Sequence, residues 1–301
     1  MILHPSIVLK SIYRRYLGLF KTAIIRPPLR SFLHCLRLTR SQQFCGKKVV
    51  NEELVKDRHL RICRILHQQI QKLALPGHGT ACEIGAGDCL ASSDLLLGYG
   101  FEKVYVVEKS VPEITVGQVE VLREIASHTD LPNQLDVLLQ ENGGCLNSER
   151  VILVEKYFEE SELPELVDLI VSFDVLEHVE DVSTFFRNCH RALSDGGVMI
   201  HKFDLSGHGL LEDPVPPLDF QTYPDWLYHL MYSKYRRAVR NWIDTFTKEL
   251  LYHGFKDLRI TAIRTADPAY VAAIRPRLRK AASHLTDEQI SFLDVVITAS
   301  K

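Results

Sequence analysis

The stretch "TACEIGAGDCLAS", residues 80–92, sets a short apolar strand against two glycines and then a run that opens a helix. A glycine turn between strand and helix offers backbone N–H groups and a helix N-terminus to a polar ligand. Gly85 and Gly87 allow the sharp bend and the close approach of that ligand. Two departures separate the stretch from a dinucleotide fingerprint. Leu90 stands where G-x-G-x-x-G would end, and Glu83, just ahead of the glycines, would repel a pyrophosphate. A second acid, Glu108, follows Gly87 by 21 residues at the end of the next strand, where a carboxylate takes both hydroxyls of a ribose.

Outward from the turn, helical and strand patterns alternate. A helical stretch over 53–75 precedes it and ends at Pro76-Gly77, and a helix over 89–98 follows it. "KVYVVEK" (103–109), "RVILVEKY" (150–157), "VDLIVSFD" (167–174) and "GGVMIHKFD" (196–204) read as buried strands. "VGQVEVLREIASH" and "VSTFFRNCHRAL" read as the helices among them. Strands separated by helices imply crossovers and a doubly wound parallel sheet, an α/β fold.

Composition supports this. The 301 residues, 46% hydrophobic and 25% charged, are enough for one large core or two small ones. Seven cysteines without a C-x-x-C pair indicate neither a zinc site nor a secreted disulfide framework, so a reducing, cytoplasmic location is expected. No run of about 18 uncharged apolar residues is present to span a membrane.

Charge is unevenly placed. Residues 1–50 hold ten of the 36 Lys and Arg and none of the 38 Asp and Glu, leaving a net of −12 on the rest. This basic arm, broken by Pro27 and Pro28, interleaves Ile7, Val8, Ile12, Leu17 and Phe20 with cations. Three readings stay open: peripheral contact with an anionic membrane through residues 1–45, an organellar transit segment, or a helical layer on the body.

The order Glu83-x-Gly85-x-Gly87, then "VVEKS" with Glu108, "DLIVSFDVLEHV" (168–179) and "ALSDGGVMIH" (192–201) resembles the class I S-adenosylmethionine-dependent methyltransferases. The resemblance covers roughly residues 78–204. It implies a Rossmann-like, seven-stranded sheet whose last strand is antiparallel, "GFKDLRITAIR" (254–264) and "FLDVVITAS" (292–300) being strands six and seven. The domain is then expected over 51–301, with a helical, substrate-side insertion at 205–252 between strands five and six. The implied cofactor is S-adenosyl-L-methionine, leaving as S-adenosyl-L-homocysteine. Its implied contacts are Glu83 near the cationic amino-acid end, Gly85, Ala86 and Gly87 in the turn, Glu108 and Lys109 at the ribose, and Asp174 after strand four. Where many relatives place an adenine-binding Asp, this chain has Tyr157 and Phe158, which suit stacking; Glu155 or Glu159 is the alternative.

Methyl transfer from a sulfonium is an in-line displacement, so the protein aligns the nucleophile and, for a hydroxyl, removes its proton. The candidate bases are His178, His201, Asp204 and His208. Asp174, Glu177 and His178, with His201 or His208, read alternatively as an oxygen and nitrogen shell for Mg²⁺ or a transition metal. That set is similar to the Glu-x-x-Glu-His sites of small-RNA 3′-end and ubiquinone-pathway O-methyltransferases; the principal expectation is no metal. The aromatic-rich insertion, including Phe220, Tyr228, Trp242 and Phe246, suits either core packing or a sugar acceptor. The order H-x-F-D-L-x-x-H from His201, then "PLDFQTYPDWLYHLMYS" and "RNWIDTFTKELLYHGF", resembles a bacterial subgroup of these enzymes found with polysaccharide and glycolipid assembly, which implies a hydroxyl of a glycan, glycolipid or other small polar molecule as the acceptor. Arg236, Arg237, Arg240, Arg275, Arg277, Arg279 and Lys280 could track RNA phosphates, but the acidic body opposes a polyanion. A cofactor-binding protein without catalysis is the remaining alternative.

Overall fold

The computed structural model describes residues 52–301 apart from 76, 110–115, 129, 134, 139–145, 208–215, 226–227 and 229–239. The basic arm lies outside the described residues, as do His208 and, within the aromatic insertion, residues 208–215, 226–227 and 229–239.

α1 (Glu52–Leu73) precedes the glycine turn, and its Val55, His59, Ile62, Leu66 and Ile70 recur at helical spacing on one buried face. β1 (Thr80–Ile84), β2 (Lys103–Val107), β3 (Val151–Val154), β4 (Val167–Phe173) and β5 (Leu193–Asp204) pair in parallel. β6 (Lys256–Thr265) and β7 (Phe292–Ser300) complete a seven-stranded sheet of order β3-β2-β1-β4-β5-β7-β6, with β7 antiparallel to both its neighbours. Between them lie α2 (Ala91–Gly98), α3 (Val116–Ala126), α4 (Leu135–Leu138), α5 (Val182–Ala192), α6 (Ile243–Tyr252), α7 (Pro268–Ile274) and α8 (Asp287–Ser291). The doubly wound sheet is therefore the expected one.

Alternate residues of each strand serve opposite cores. Ala81, Val104, Val106 and Leu169 pack with α1, α2 and α3, whereas Cys82, Tyr105, Val107 and Ile170 pack with α5 and α6. Burial on both faces is why these strands read as nearly continuous apolar runs. α5 starts where Asp181 accepts the Thr184 N–H at 2.9 Å, and Val182, Phe185, Phe186 and Cys189 form its buried stripe. α6 gives Ile243, Phe246 and Leu250 to the same core, with Phe246 4.6 Å from the Phe203 ring; these positions of the aromatic stretch are core.

Two compact units divide the chain. One, formed by Val49–Leu205, Asn241–Thr265 and Phe292–Lys301, carries the whole sheet. Of the other, residues 206–207, 216–225, 228, 240 and Ala266–Ser291 are described. There α7 is capped by Asp267, which accepts the Ala269 and Tyr270 N–H groups, and the Tyr270 hydroxyl accepts the Leu218 N–H at 3.0 Å.

Candidate functional site

The glycine turn leaves the C-terminal end of β1, with β2 on one side and β4 on the other. At this point the strand order reverses, which opens a crevice beyond the strand ends. Both glycines are left-handed, at φ 73° for Gly85 and 69° for Gly87, but for different reasons. A Cβ on Gly85 would lie 2.4 Å from Cγ2 of Val175, so the protein itself requires glycine there. Among the described residues a Cβ on Gly87 would meet nothing within 4 Å, so they leave its neighbourhood open. Gly85 donates its N–H to the Val107 carbonyl at 2.9 Å, and Gly87 donates to Glu108 Oε2 at 3.2 Å. Glu108, one residue past β2, thus stands beside the open face of the turn.

Glu83 is 3% exposed and points toward α2, where Ser93 donates to its Oε2 at 2.5 Å. Burial pushes its carboxyl above the usual range, opposed by hydrogen bonds from Ser93 and Ser92 and by the nearby His59. α1 contributes that histidine. His59 Nε2 lies 3.0 Å from Asp88 Oδ1, next to Gly87 in the turn, and this bond is the main reason the Asp88 carboxyl is held low. Ala86 is buried between the two glycines.

Across the crevice, Asp174 follows β4 with a left-handed φ of 56°. Its N–H donates to the Lys202 carbonyl at 2.9 Å, and Lys202 Nζ returns to its carboxylate at 2.5 Å. Lys202, 4% exposed on β5, also lies 2.9 Å from Asp294 on β7. Arg264 continues the chain, 2.6 Å from Asp294 and 3.4 Å from Asp204, while Arg58 of α1 lies 3.6 Å from Asp174. Three cations and three carboxylates therefore alternate along the ends of β4, β5, β7 and β6. Burial alone would lower Lys202, but Asp174 and Asp294 outweigh it and hold the ammonium above its ordinary value. Burial would likewise raise Asp294, but Arg264 and Lys202 hold it below.

The other expected residues are placed unevenly. Glu177 is buried in a 3-10 turn, Leu176–His178, and accepts the Asp204 N–H at 3.4 Å, tying the end of β5 to the segment after β4. His178, on the same turn, is exposed. His201 is not where a base must be. It is fully buried among Phe185 and Phe186, with Nδ1 2.7 Å from Ser172 Oγ, and burial pushes its pKa down to about 3. The alternation of β5 explains this, since His201 shares the core-facing set with Met199 and Phe203.

Phe158 is likewise core, 4% exposed with its ring 5.2 Å from Phe185, so it cannot stack on a ligand. Tyr157 is half exposed and meets Lys109, whose Nζ donates to the Tyr157 hydroxyl at 2.6 Å. Asp174, Glu177 and His178 take separate directions, and among the described residues no three His, Cys, Asp or Glu groups are placed to hold a metal ion. Sequence reasoning missed Arg58, His59, Lys202, Arg264 and Asp294. Charged residues inside otherwise apolar strands, as at Lys202 and Asp294, were the available signal for two of them.

The chain matches the model of a family described as Methyltransferase domain over residues 54–256. No curated protein matches it. Among solved structures it is similar to Haemonchus contortus phosphoethanolamine N-methyltransferase 2 in complex with S-adenosyl-L-methionine, at 16% identity and a TM-score of 0.43. That likeness covers 75% of this chain and 49% of the other, so the chain spans about half the length of that protein. It is similar too to an S-adenosylmethionine-dependent methyltransferase from Mesorhizobium loti, at 16% identity and a TM-score of 0.42, over 78% of this chain and 96% of that one.

Proposed function

Because the chain belongs to the class I S-adenosylmethionine-dependent methyltransferase family, we propose that it moves the methyl group of S-adenosylmethionine to a hydroxyl of a small polar acceptor, such as a glycan or glycolipid. The observation that carries the cofactor assignment is the pairing at the turn: Gly87, with open space where a Cβ would be, beside the Glu108 carboxylate. These residues fit the cofactor. A backbone without a side chain admits a ligand, and a carboxylate beside it receives a ribose diol. Glu83 supplies negative charge behind the turn, toward the cationic amino-acid end. When bound, the cofactor supplies an electrophilic methyl on a good leaving group.

The protein's own part is then alignment and removal of one proton. Among the described residues, His178 is the base in this reading, because it is exposed beyond β4 while His201 is sealed in the core. An imidazole is a side chain suited to taking up a hydroxyl proton in general base catalysis. Asp204, held by Arg264 and by its own N–H on Glu177, positions the end of β5 beside it.

Titration calorimetry with S-adenosylhomocysteine tests the cofactor site. Binding is expected, with Glu108→Ala weakening it; a wild-type protein that does not bind would overturn the proposal. Mass spectrometry of candidate acceptors incubated with labelled cofactor tests the destination. His178→Ala is expected to lower kcat by roughly 10²- to 10⁴-fold with little change in cofactor affinity.

A further inference from the structure

The segments on either side of β6 in the chain carry a charge cluster that methyl-donor binding leaves unused. Arg240 has its side chain 5% exposed and its guanidinium 4.2 Å from the centre of the Tyr228 ring. It donates to the carbonyls of Phe220 and Tyr223 and to the Asp225 carboxylate. Arg279 donates to that same Asp225 oxygen at 3.2 Å and to Gln221 Oε1 at 3.2 Å. Two guanidiniums thus converge on one oxygen, whose carboxylate is 68% exposed. So exposed an acid has water as its alternative partner and does not by itself explain a pair of partly buried arginines.

Behind the pair, Gln221 is 1% exposed, and among the described residues neither its Nε2 nor Arg279 Nε has a hydrogen-bond partner. Buried groups left this way are uncommon, and both of these are donors, so what the cluster lacks is acceptor oxygens. Burial and then the neighbouring Arg279 lower the proton affinity of Arg240, a strain that added negative charge would relieve. Planar guanidinium forks match the oxygens of phosphate and carboxylate groups.

We propose that Arg240, Arg279 and Gln221 form a binding site for an oxyanion group, phosphoryl or carboxylate, and that Asp225 stands in for it in the free protein. The oxyanion site does not rest on the methyl-transfer reading.

The full chain is titrated with inorganic phosphate and, separately, with succinate, following thermal stability and heat against chloride at matched ionic strength. At least one of the two is expected to bind, and the tighter one identifies the group. Asp225→Asn, which removes the internal competitor, is expected to tighten binding by about tenfold. Arg279→Met is expected to abolish it. Gln221→Leu, which keeps the buried volume without the unmet donor, is expected to fold and to bind more weakly.

Wild-type protein that responds to neither anion beyond chloride overturns the site, as does unchanged affinity in Asp225→Asn or Gln221→Leu. S-adenosylhomocysteine is titrated into the same samples. Its binding without oxyanion binding sinks the site alone, and the converse sinks the methyl-transfer reading alone.

Discussion

At the scale of single residues, the two glycines of the turn separate fold from function. Gly85→Ala would force its Cβ against Val175 in a left-handed backbone, and a loss of about 2–4 kcal/mol of stability is expected by chemical denaturation. Gly87→Ala carries only the left-handed cost, about 1–2 kcal/mol, but fills the open side of the turn. Its affinity for S-adenosylhomocysteine should fall more than its stability; equal affinity in Gly87→Ala and wild type would refute the placement of the cofactor.

His201 makes a different residue-level prediction. Its pKa is about 3 when folded against 6.5 ordinarily, so between those values the unfolded chain takes up a proton that the folded one does not. Stability is therefore full above pH 6.5 and is lost as pH falls toward 3, by up to about 1.4 kcal/mol per unit. Glu83, raised by burial, acts with the opposite sign, contributing at low pH and losing that contribution as pH rises. Comparing wild type with Ser172→Ala/His201→Leu isolates the histidine. The double variant should show the shallower acid slope between pH 7 and 5, and parallel slopes would contradict the sealed position.

The strand, the glycine turn and the helix after it were legible because the residue types and their spacing encode that turn. His201 was misread because a strand-end position does not say which face a side chain takes; its alternation with Met199 and Phe203 does, and that pattern was already in the sequence.

At the scale of elements, the strand ends are joined by charge. Lys202→Met would leave Asp174 and Asp294 without their shared ammonium, and a loss of about 3–5 kcal/mol is expected from denaturant melts. Lys202→Met combined with Asp174→Asn and Asp294→Asn should recover a large part of it, since no buried charge is then left alone. Failure of the triple variant to improve on the single one would mean that Lys202 acts through packing instead.

The strands themselves were readable, because a sheet buried on both faces writes unbroken apolar runs into the sequence. β5 proves longer than read, starting at Leu193, and the helix after the turn starts at Ala91. The contribution of α1 was not readable. Its helical period was plain, but nothing local says that the face carrying His59 meets Asp88, a contact set by tertiary packing.

At the scale of the whole molecule, charge is segregated along the chain: the acid-free first fifty residues precede a strongly acidic remainder. Among the described residues no helix is long and apolar enough to cross a membrane. Deleting residues 1–45 is expected to abolish co-sedimentation with anionic vesicles while leaving S-adenosylhomocysteine binding intact. Retained sedimentation would assign lipid binding elsewhere, and loss of cofactor binding would assign the arm a packing role. Fold class and donor were legible at this scale because several motifs recur in one order; the acceptor was not, because no motif of that kind names the group that receives the methyl.

The strand β7 sits between β5 and β6 but is the last of the three in the chain. On a ribosome, β1 to β5 can pair while β7 is still being made, leaving Lys202 with one carboxylate instead of two. Its insertion is a late, long-range closure of the kind that slows folding, and it brings Lys202 its second carboxylate. The half-made sheet thus holds an open edge until β7 arrives, which marks that interval as the one in which a nascent chain most needs protection from aggregation.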